Sequence, residues 1–356
     1  MADRLKPAMV KALRAVAPGR PLRDGLDRIL QANKGAIIVV GDGPEVLEIC
    51  SGGFLLDAEF TPQRVSEVTK MDGAIILAPD ASRIARANVH LVPSPSVPTS
   101  ETGTRHRTAE RVARSIDVPV IAVSEEMGVI TVFRNDARHA LDSLPRLISR
   151  ANQALQTLER YRTRLDAVMS SLSAVEVEDL VTARDVVTAL QRAEMVRRIA
   201  DEVEGYVIEL GTDGRLVRLQ LEELMAGTEG EPQDVLRDYL PDCGQVCVEA
   251  ATESLSRLEG KQVLDPKEVA RLLGLDDSGG IDGSLQPRGF RLLGKVPRLP
   301  PGVVDAIVER YGSLQKVMRA AAEELEAVPG VGVVYARLVK DGLSRLAESS
   351  ILDRFS

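Results

Sequence analysis

The chain has no tryptophan and, in 356 residues, only five tyrosines and five phenylalanines. Cores built without them must be aliphatic, and the aromatic platforms on which single-stranded nucleic acid stacks are disfavoured. Three cysteines, Cys50, Cys243 and Cys247, are too few for a disulfide framework, and the 243/247 spacing without a nearby histidine is a poor zinc pattern. They read as buried or incidental thiols. Nowhere do about 18 apolar residues run together as a membrane helix requires, and the opening stretch lacks the apolar core of a signal peptide. The expectation is a cytoplasmic protein with no membrane partner. A Gly-rich Lys-Ser/Thr phosphate loop is missing, and Gly41-Asp42-Gly43 fails the dinucleotide fingerprint because Val46 stands where its third glycine belongs. Positive charge is short as well, with 45 Lys and Arg against 53 Asp and Glu, a net of −8. Only the segment from Gln286 onward reverses the sign, with 11 basic against 8 acidic residues, which permits a nucleic-acid partner there without demanding one.

What remains is a folded, soluble composition, 44% hydrophobic and 28% charged, long enough for two or three domains. Residues 1–140 read as an α/β head with a mixed central sheet flanked by helices. Its strand candidates are 36–41, 46–50, 74–78, 84–92, 118–124 and 128–134, and helices at 3–16, 22–32, 62–70 and 105–116 fill the gaps. Thr61 and Pro62 make a cap and first turn for the third helix. Residues 141–285 read as an all-α spine, led by an apolar stripe from 144 to 172 that only Arg162 interrupts. Within the spine, 205–225 reads equally as a hairpin or as two helices, and 276–287 as a flexible linker. Residues 286–356 form a third, helical module punctuated by Pro and Gly.

The most unusual local sequence is Gly103-Thr104-Arg105-His106-Arg107-Thr108-Ala109-Glu110-Arg111, which opens an amphipathic helix. Cations in a first turn oppose the positive end of the helix dipole, and an anion would reverse the sign. A triphosphate would take the free amides, the guanidinium groups and the threonine hydroxyls. The alternative is that Arg105, Arg107 and Arg111 are solvated charges paired with Glu101 or Glu110. His106 divides in the same way, whereas His90 and His139 read as structural. A second candidate is Met71-Asp72-Gly73-Ala74, where a helix ends and a buried strand begins. Asp72 there could hold a divalent metal against substrate phosphates, or the pair is an ordinary Asp-Gly turn.

Asp72-Gly73-Ala74, followed some thirty residues later by the Gly-Thr-Arg-His-Arg-Thr sequence, resembles the paired motifs of the diadenylate cyclase domain. With the spine and tail included, the whole chain resembles the DNA integrity scanning family. The resemblance implies that two ATP molecules are joined into cyclic di-AMP with release of two pyrophosphates. It implies Asp72 as the ligand of Mg²⁺ or Mn²⁺ and promoter of 3′-hydroxyl attack, with Gly73 giving the nucleotide close approach. Thr104, Arg105, His106, Arg107, Thr108 and Ser124 would hold phosphates, and Leu91 would pack on adenine. It also implies an octamer and a nucleoid-associated protein coupled to branched or recombination DNA. The product's symmetry independently asks for two heads facing across a two-fold axis. In the tail, Val328-Pro329-Gly330-Val331-Gly332 resembles a helix-hairpin-helix turn. Gly330, Val331 and Gly332 would offer amides to DNA phosphates with Lys340, Arg337 or Arg345 assisting. A related turn, Leu299–Val303, departs from the pattern and reads as structural, and a packing device without DNA is the alternative for both. A non-catalytic, nucleotide-sensing DNA scaffold is the alternative for the chain as a whole.

Overall fold

The computed structural model describes residues 6–228, 230–240, 245–276 and 279–353. The chain divides into two compact units, one of the residues up to Leu155 with Asp201–Leu221, the other of Gln156–Ala200 with the residues from Glu222 onward.

The first unit holds the α/β head. Its elements run α1 (Pro7–Ala15), α2 (Pro21–Gln31), β1 (Ala36–Val40), α3 (Pro44–Glu48), β2 (Cys50–Ser51), β3 (Phe54–Glu59), α4 (Pro62–Val68), β4 (Ala74–Leu77), β5 (Arg83–Leu91), α5 (Thr104–Ser115), β6 (Val120–Ser124), β7 (Val129–Arg134) and β8 (Ala137–Ala140). The strand order is β2-β5-β4-β1-β6-β7-β8, with β3 also paired to β5. The sheet is mixed: β1 and β4 are parallel, and the other neighbouring pairs are antiparallel.

Both central strands are apolar throughout because both faces are covered. Ile38, Val40, Ile75 and Leu77 pack with Met9, Leu26 and Val65 from α1, α2 and α4. Their neighbours Ile37, Val39 and Ile76 point the other way and pack with Ala109, Val112 and Ala113 of α5. Thr61 caps α4 by accepting from the Arg64 amide at 3.1 Å. The strand expected at 46–50 is mostly helix instead: Pro44 presets the first turn of α3, and only Cys50 and Ser51 extend, against Leu91 and His90. His139 of β8 pairs with Glu209, near the end of the helix at Ala183–Leu210, at 2.8 Å, a structural role as expected of it.

From Leu144 onward the described chain is helical: α6 (Leu144–Val177), α7 (Ala183–Leu210), α8 (Arg215–Met225), α9 (Glu231–Tyr239), α10 (Gln245–Arg257), α11 (Gly260–Val263), α12 (Pro266–Leu272), α13 (Phe290–Gly294), α14 (Pro301–Tyr311), α15 (Leu314–Arg319), α16 (Ala322–Glu326) and α17 (Gly332–Asp353). The ambiguous 205–225 stretch resolves into the end of α7, a tight turn at Gly211–Gly214, and α8. Arg162, the polar exception in the stripe of α6, donates to the carbonyls of Leu224 and Ala226 at the end of α8.

Two expectations are corrected here. The described part of 276–287 is not a loose linker, because its backbone finds partners at the start of α7. Ala183 donates to Gly283, Leu285 donates to Val181, and Arg184 pairs with Asp282 at 2.8 Å. Cys247 is exposed and disulfide-bonded rather than an incidental thiol, while Cys50 is free and half-buried. Cys243 lies outside the described residues.

The second unit also buries a charged cluster. Arg291 of α13, 1% exposed, is gripped by the Glu176 carboxylate, itself fully buried, and donates further to Ser173 Oγ at 3.0 Å. Tyr239 donates to the same carboxylate at 2.6 Å. Burial, then the charge of Glu176, pushes the Tyr239 phenol up, which keeps it a donor. Asp238 accepts the amides of Gly289, Phe290 and Arg291, capping α13.

Candidate active site

The head's candidate residues gather at one edge of the sheet. Asp72 and Gly73 immediately precede β4, and Gly35 precedes its parallel neighbour β1. Strand β6 runs antiparallel to β1 with Val123 opposite Ala36, so Ser124 ends at the same edge. Val89 pairs with Ala74, which brings the end of β5 and Leu91 level with Asp72. Helix α5 begins there too, with the guanidinium of Arg105 against Gly35 and 3.9 Å from Asp72 Oδ1. These are the amino ends of the parallel pair, whereas open α/β sheets usually bind ligands at the carboxyl ends. At the carboxyl ends here, Arg83 ties Asp42 and Asp57 together at 2.6 and 2.5 Å.

Helix α5 starts from Gly103, which supplies no side-chain cap, and its first turn contains no acid. Among the described residues, the amides of Thr104, Arg105 and His106 make no backbone hydrogen bond, and Arg107 has no ion pair. The acids weighed as partners for these arginines are committed elsewhere: Glu101 meets Arg138 at 2.8 Å and Glu110 meets Arg114 at 3.0 Å. Arg111 donates to the Val97 carbonyl. The acid nearest the helix start is therefore Asp72, which has 99% of its side chain exposed and lies 3.9 Å from the Arg105 guanidinium.

His106 is half-buried against Phe133 in an edge-to-face contact, and its Nε2 is buried with no hydrogen-bond partner. Burial is the largest influence on its pKa and lowers it. Glu101 opposes this and Arg138 and Arg105 add to it, leaving the imidazole below its ordinary value.

Three of the expected site residues also have structural contacts. Gly73 sits at φ +104, and a Cβ there would lie 2.9 Å from the backbone of Asn88, so the close approach of β5 already demands glycine at this exposed position. Leu91 is 6% exposed, with its side chain in the core between sheet and α5. Ser124 accepts the Met127 amide at 3.2 Å, which fixes the turn into β7 and leaves its hydroxyl proton for donation. Sequence reasoning missed Gly35, which makes room for Arg105, and the burial of Glu110. No spacing signals either, since both depend on contacts far apart in the chain.

In the tail, Gly330 and Gly332 have φ of +86 and +57. Among the described residues their amides make no backbone hydrogen bond. Val331 is different: it is 2% exposed and its amide donates to Val328, so it belongs to the core. Lys340 is likewise committed, donating to the Met318 and Ala320 carbonyls at 2.8 Å each. The first turn lies at 296–300 rather than 299–303. There Leu299 donates to Val296 and Arg298 takes φ +64, just as Val331 donates to Val328 and Gly330 takes +86.

Residues 23–138 match the family described as DisA bacterial checkpoint controller nucleotide-binding, and residues 141–281 match the DisA bacterial checkpoint controller linker region. The head is thus a nucleotide-binding domain of the diadenylate cyclase class, and the chain is a nucleotidyltransferase. It is 56% identical to the DNA integrity scanning protein DisA of Frankia alni over 96% of both chains. With the DisA of Streptomyces coelicolor it shares 52% over 98% of this chain and 94% of that one, and with the DisA of Kineococcus radiotolerans 51% over the full length of both. The chain belongs to the DisA family. Among the described residues no helix is long and apolar enough to cross a membrane.

Proposed function

We propose that each head offers one ATP half-site and that two heads face each other to close cyclic di-AMP. The observation that carries this reading is the placement of Arg105 beside Asp72 while Glu101 and Glu110 are occupied by other arginines. The triphosphate lies over the free amides of Thr104, Arg105 and His106, with Arg105, Arg107, Thr108 and Ser124 donating to its oxygens. In each of two reciprocal attacks, a ribose 3′-oxygen bonds to the α-phosphorus of the facing ATP, the bond from that phosphorus to the β-bridging oxygen breaks, and pyrophosphate leaves. Asp72 orients the hydroxyl and draws off its proton.

Asp72 also fits a divalent cation of the Mg²⁺ or Mn²⁺ kind. Among the described residues no cluster of three ligating side chains exists. A hard, exposed, single carboxylate suits an ion that takes its remaining oxygens from substrate phosphates and water. Such an ion neutralises charge on the phosphates. One head carries one such carboxylate and one helix start, so the second half-site comes from a second copy, within an assembly for which an octamer is our proposal.

The tail, residues 286–356, is proposed to hold duplex or branched DNA through the amides of Gly330 and Gly332 with Arg337 or Arg345 assisting, and so to work at the nucleoid in the cytoplasm. The paired turns and the positive φ at both support a helix-hairpin-helix reading. Phosphate contacts of this kind grip without reading bases.

Incubation with ATP and Mn²⁺ followed by chromatography tests the head. The wild type yields a single cyclic dinucleotide and Asp72→Asn yields none, while DNA binding persists. Undiminished product from Asp72→Asn sinks the catalytic assignment, and unaltered ATP with the wild type favours a nucleotide-sensing scaffold. Gly330→Glu with Gly332→Glu has the opposite profile, sparing turnover and weakening DNA affinity at least tenfold, about 1.4 kcal/mol. Unchanged affinity in a gel-shift or anisotropy titration removes the tail assignment.

A further inference from the structure

Glu110 is 5% exposed, yet it lies two turns into an otherwise amphipathic helix, and among the described residues its side-chain hydrogen bonds and ion pair go neither to Asp72 nor to the cationic first turn. Its carboxylate is filled by one short segment. Oε2 accepts from Thr99 Oγ1, from the Ser100 amide at 2.9 Å and from the Glu101 amide at 3.3 Å. Oε1 accepts from Ser100 Oγ at 3.1 Å and meets Arg114 at 3.0 Å. Two further side chains of the same helix hold the same segment: Arg111 Nε donates to the Val97 carbonyl at 3.0 Å, and Arg114 donates to the Pro98 carbonyl at 2.6 Å. Burial alone would raise the Glu110 carboxyl. The hydrogen bonds from Thr99 and Ser100 and the charge of Arg114 outweigh it and hold the group below its ordinary value, so it is an acceptor on both oxygens.

The segment so held, 97–101, runs directly into Gly103 and the first turn of α5. Most helices fix the entry of their chain with a Ser, Thr, Asp or Asn at the cap, whose oxygen occupies the first-turn amides. Here those amides must stay free if they are to meet a phosphate, and Gly103 supplies no such oxygen. We infer that Glu110 is the positioning residue of the cyclase reaction: it anchors the strap upstream of the helix, at 99–101, and so aims the amides of Thr104, Arg105 and His106 without occupying them. The inference rests on the phosphate-cradle reading of that first turn. A glutamine at 110 keeps the volume but turns an NH₂ toward a set of donors, leaving one strap contact without an acceptor.

The test measures turnover of ATP with Mn²⁺ and, separately, affinity for inorganic tripolyphosphate by calorimetry, in the full chain. Glu110→Gln is expected to lower kcat roughly 10- to 100-fold, the scale on which a misplacement of about 1 Å acts. Its tripolyphosphate affinity falls alongside, with DNA binding unchanged. Thr99→Val with Ser100→Ala removes the two hydroxyl contacts to Glu110 from the strap's side, leaves the Ser100 and Glu101 amides in place, and is expected to give a defect in the same direction. Adding it to Glu110→Gln costs no more than Glu110→Gln alone, because the pair acts as one unit. A merely structural glutamate would lower thermal stability while leaving tripolyphosphate affinity of the folded protein intact, and that result overturns the inference. So does wild-type turnover in the strap double variant, which keeps the test open if Glu110→Gln fails to fold. Arg105→Ala separates the two levels. If it loses tripolyphosphate while Glu110→Gln keeps it, the strap role falls and the cradle stands, whereas undiminished binding by Arg105→Ala removes the cradle and the inference with it.

Discussion

His106 carries the sharpest residue-scale consequence of the proposed cradle. In the unliganded head, burial and the charges of Arg138 and Arg105 disfavour its proton, against the pull of Glu101. Its folded pKa lies below the ordinary 6.5, so the stability it contributes is complete above that value and is lost as pH falls through it toward the lower folded one. A polyphosphate beside the first turn adds negative charge and reverses the shift. Titration of His106 by proton NMR should therefore show a higher pKa with tripolyphosphate than without, and an unchanged or lower value would place the phosphate elsewhere. Residues of this kind were legible because charge and glycine are visible in a sequence. Leu91 was less so: a leucine in an alternating strand looks the same whether it meets a base or a helix, and what the structure adds is its burial within the core. Gly73 shows the converse, since the sequence marked it correctly as a special backbone position while the cause, the nearness of Asn88, lay in a strand fifteen residues on.

At the scale of elements, the two-sided burial of β1 and β4 could be read from their unbroken apolar runs, and the entry of α4 from Thr61 and Pro62. What could not be read was pairing between segments far apart in the chain. The described part of 276–287 carries the composition of a loose tether yet is hydrogen-bonded to the start of α7. Strand β3, FLLDAE, has no period of two because most of its side chains face solvent. The buried pair of Glu176 and Arg291 was invisible for the same reason, being 115 residues apart. Removing one partner of such a pair strands the other charge. Arg291→Met should cost about 3–5 kcal/mol in denaturant unfolding of the full chain. A loss below about 1 kcal/mol would mean that Glu176 is satisfied by Tyr239 alone.

For the whole molecule, the proposed reading makes a single chain insufficient: one exposed carboxylate and one uncapped helix start lie at one edge of one sheet, while the product requires two reciprocal attacks. Assemblies prepared by co-expressing wild-type and Asp72→Asn chains in known ratios, with cyclic dinucleotide formation measured per total chain, test this most directly. If two competent heads must face each other, product falls as the square of the wild-type fraction, to roughly one quarter at equal mixing. A linear fall, to about one half, would mean that each head closes the ring alone and would contradict the paired half-site.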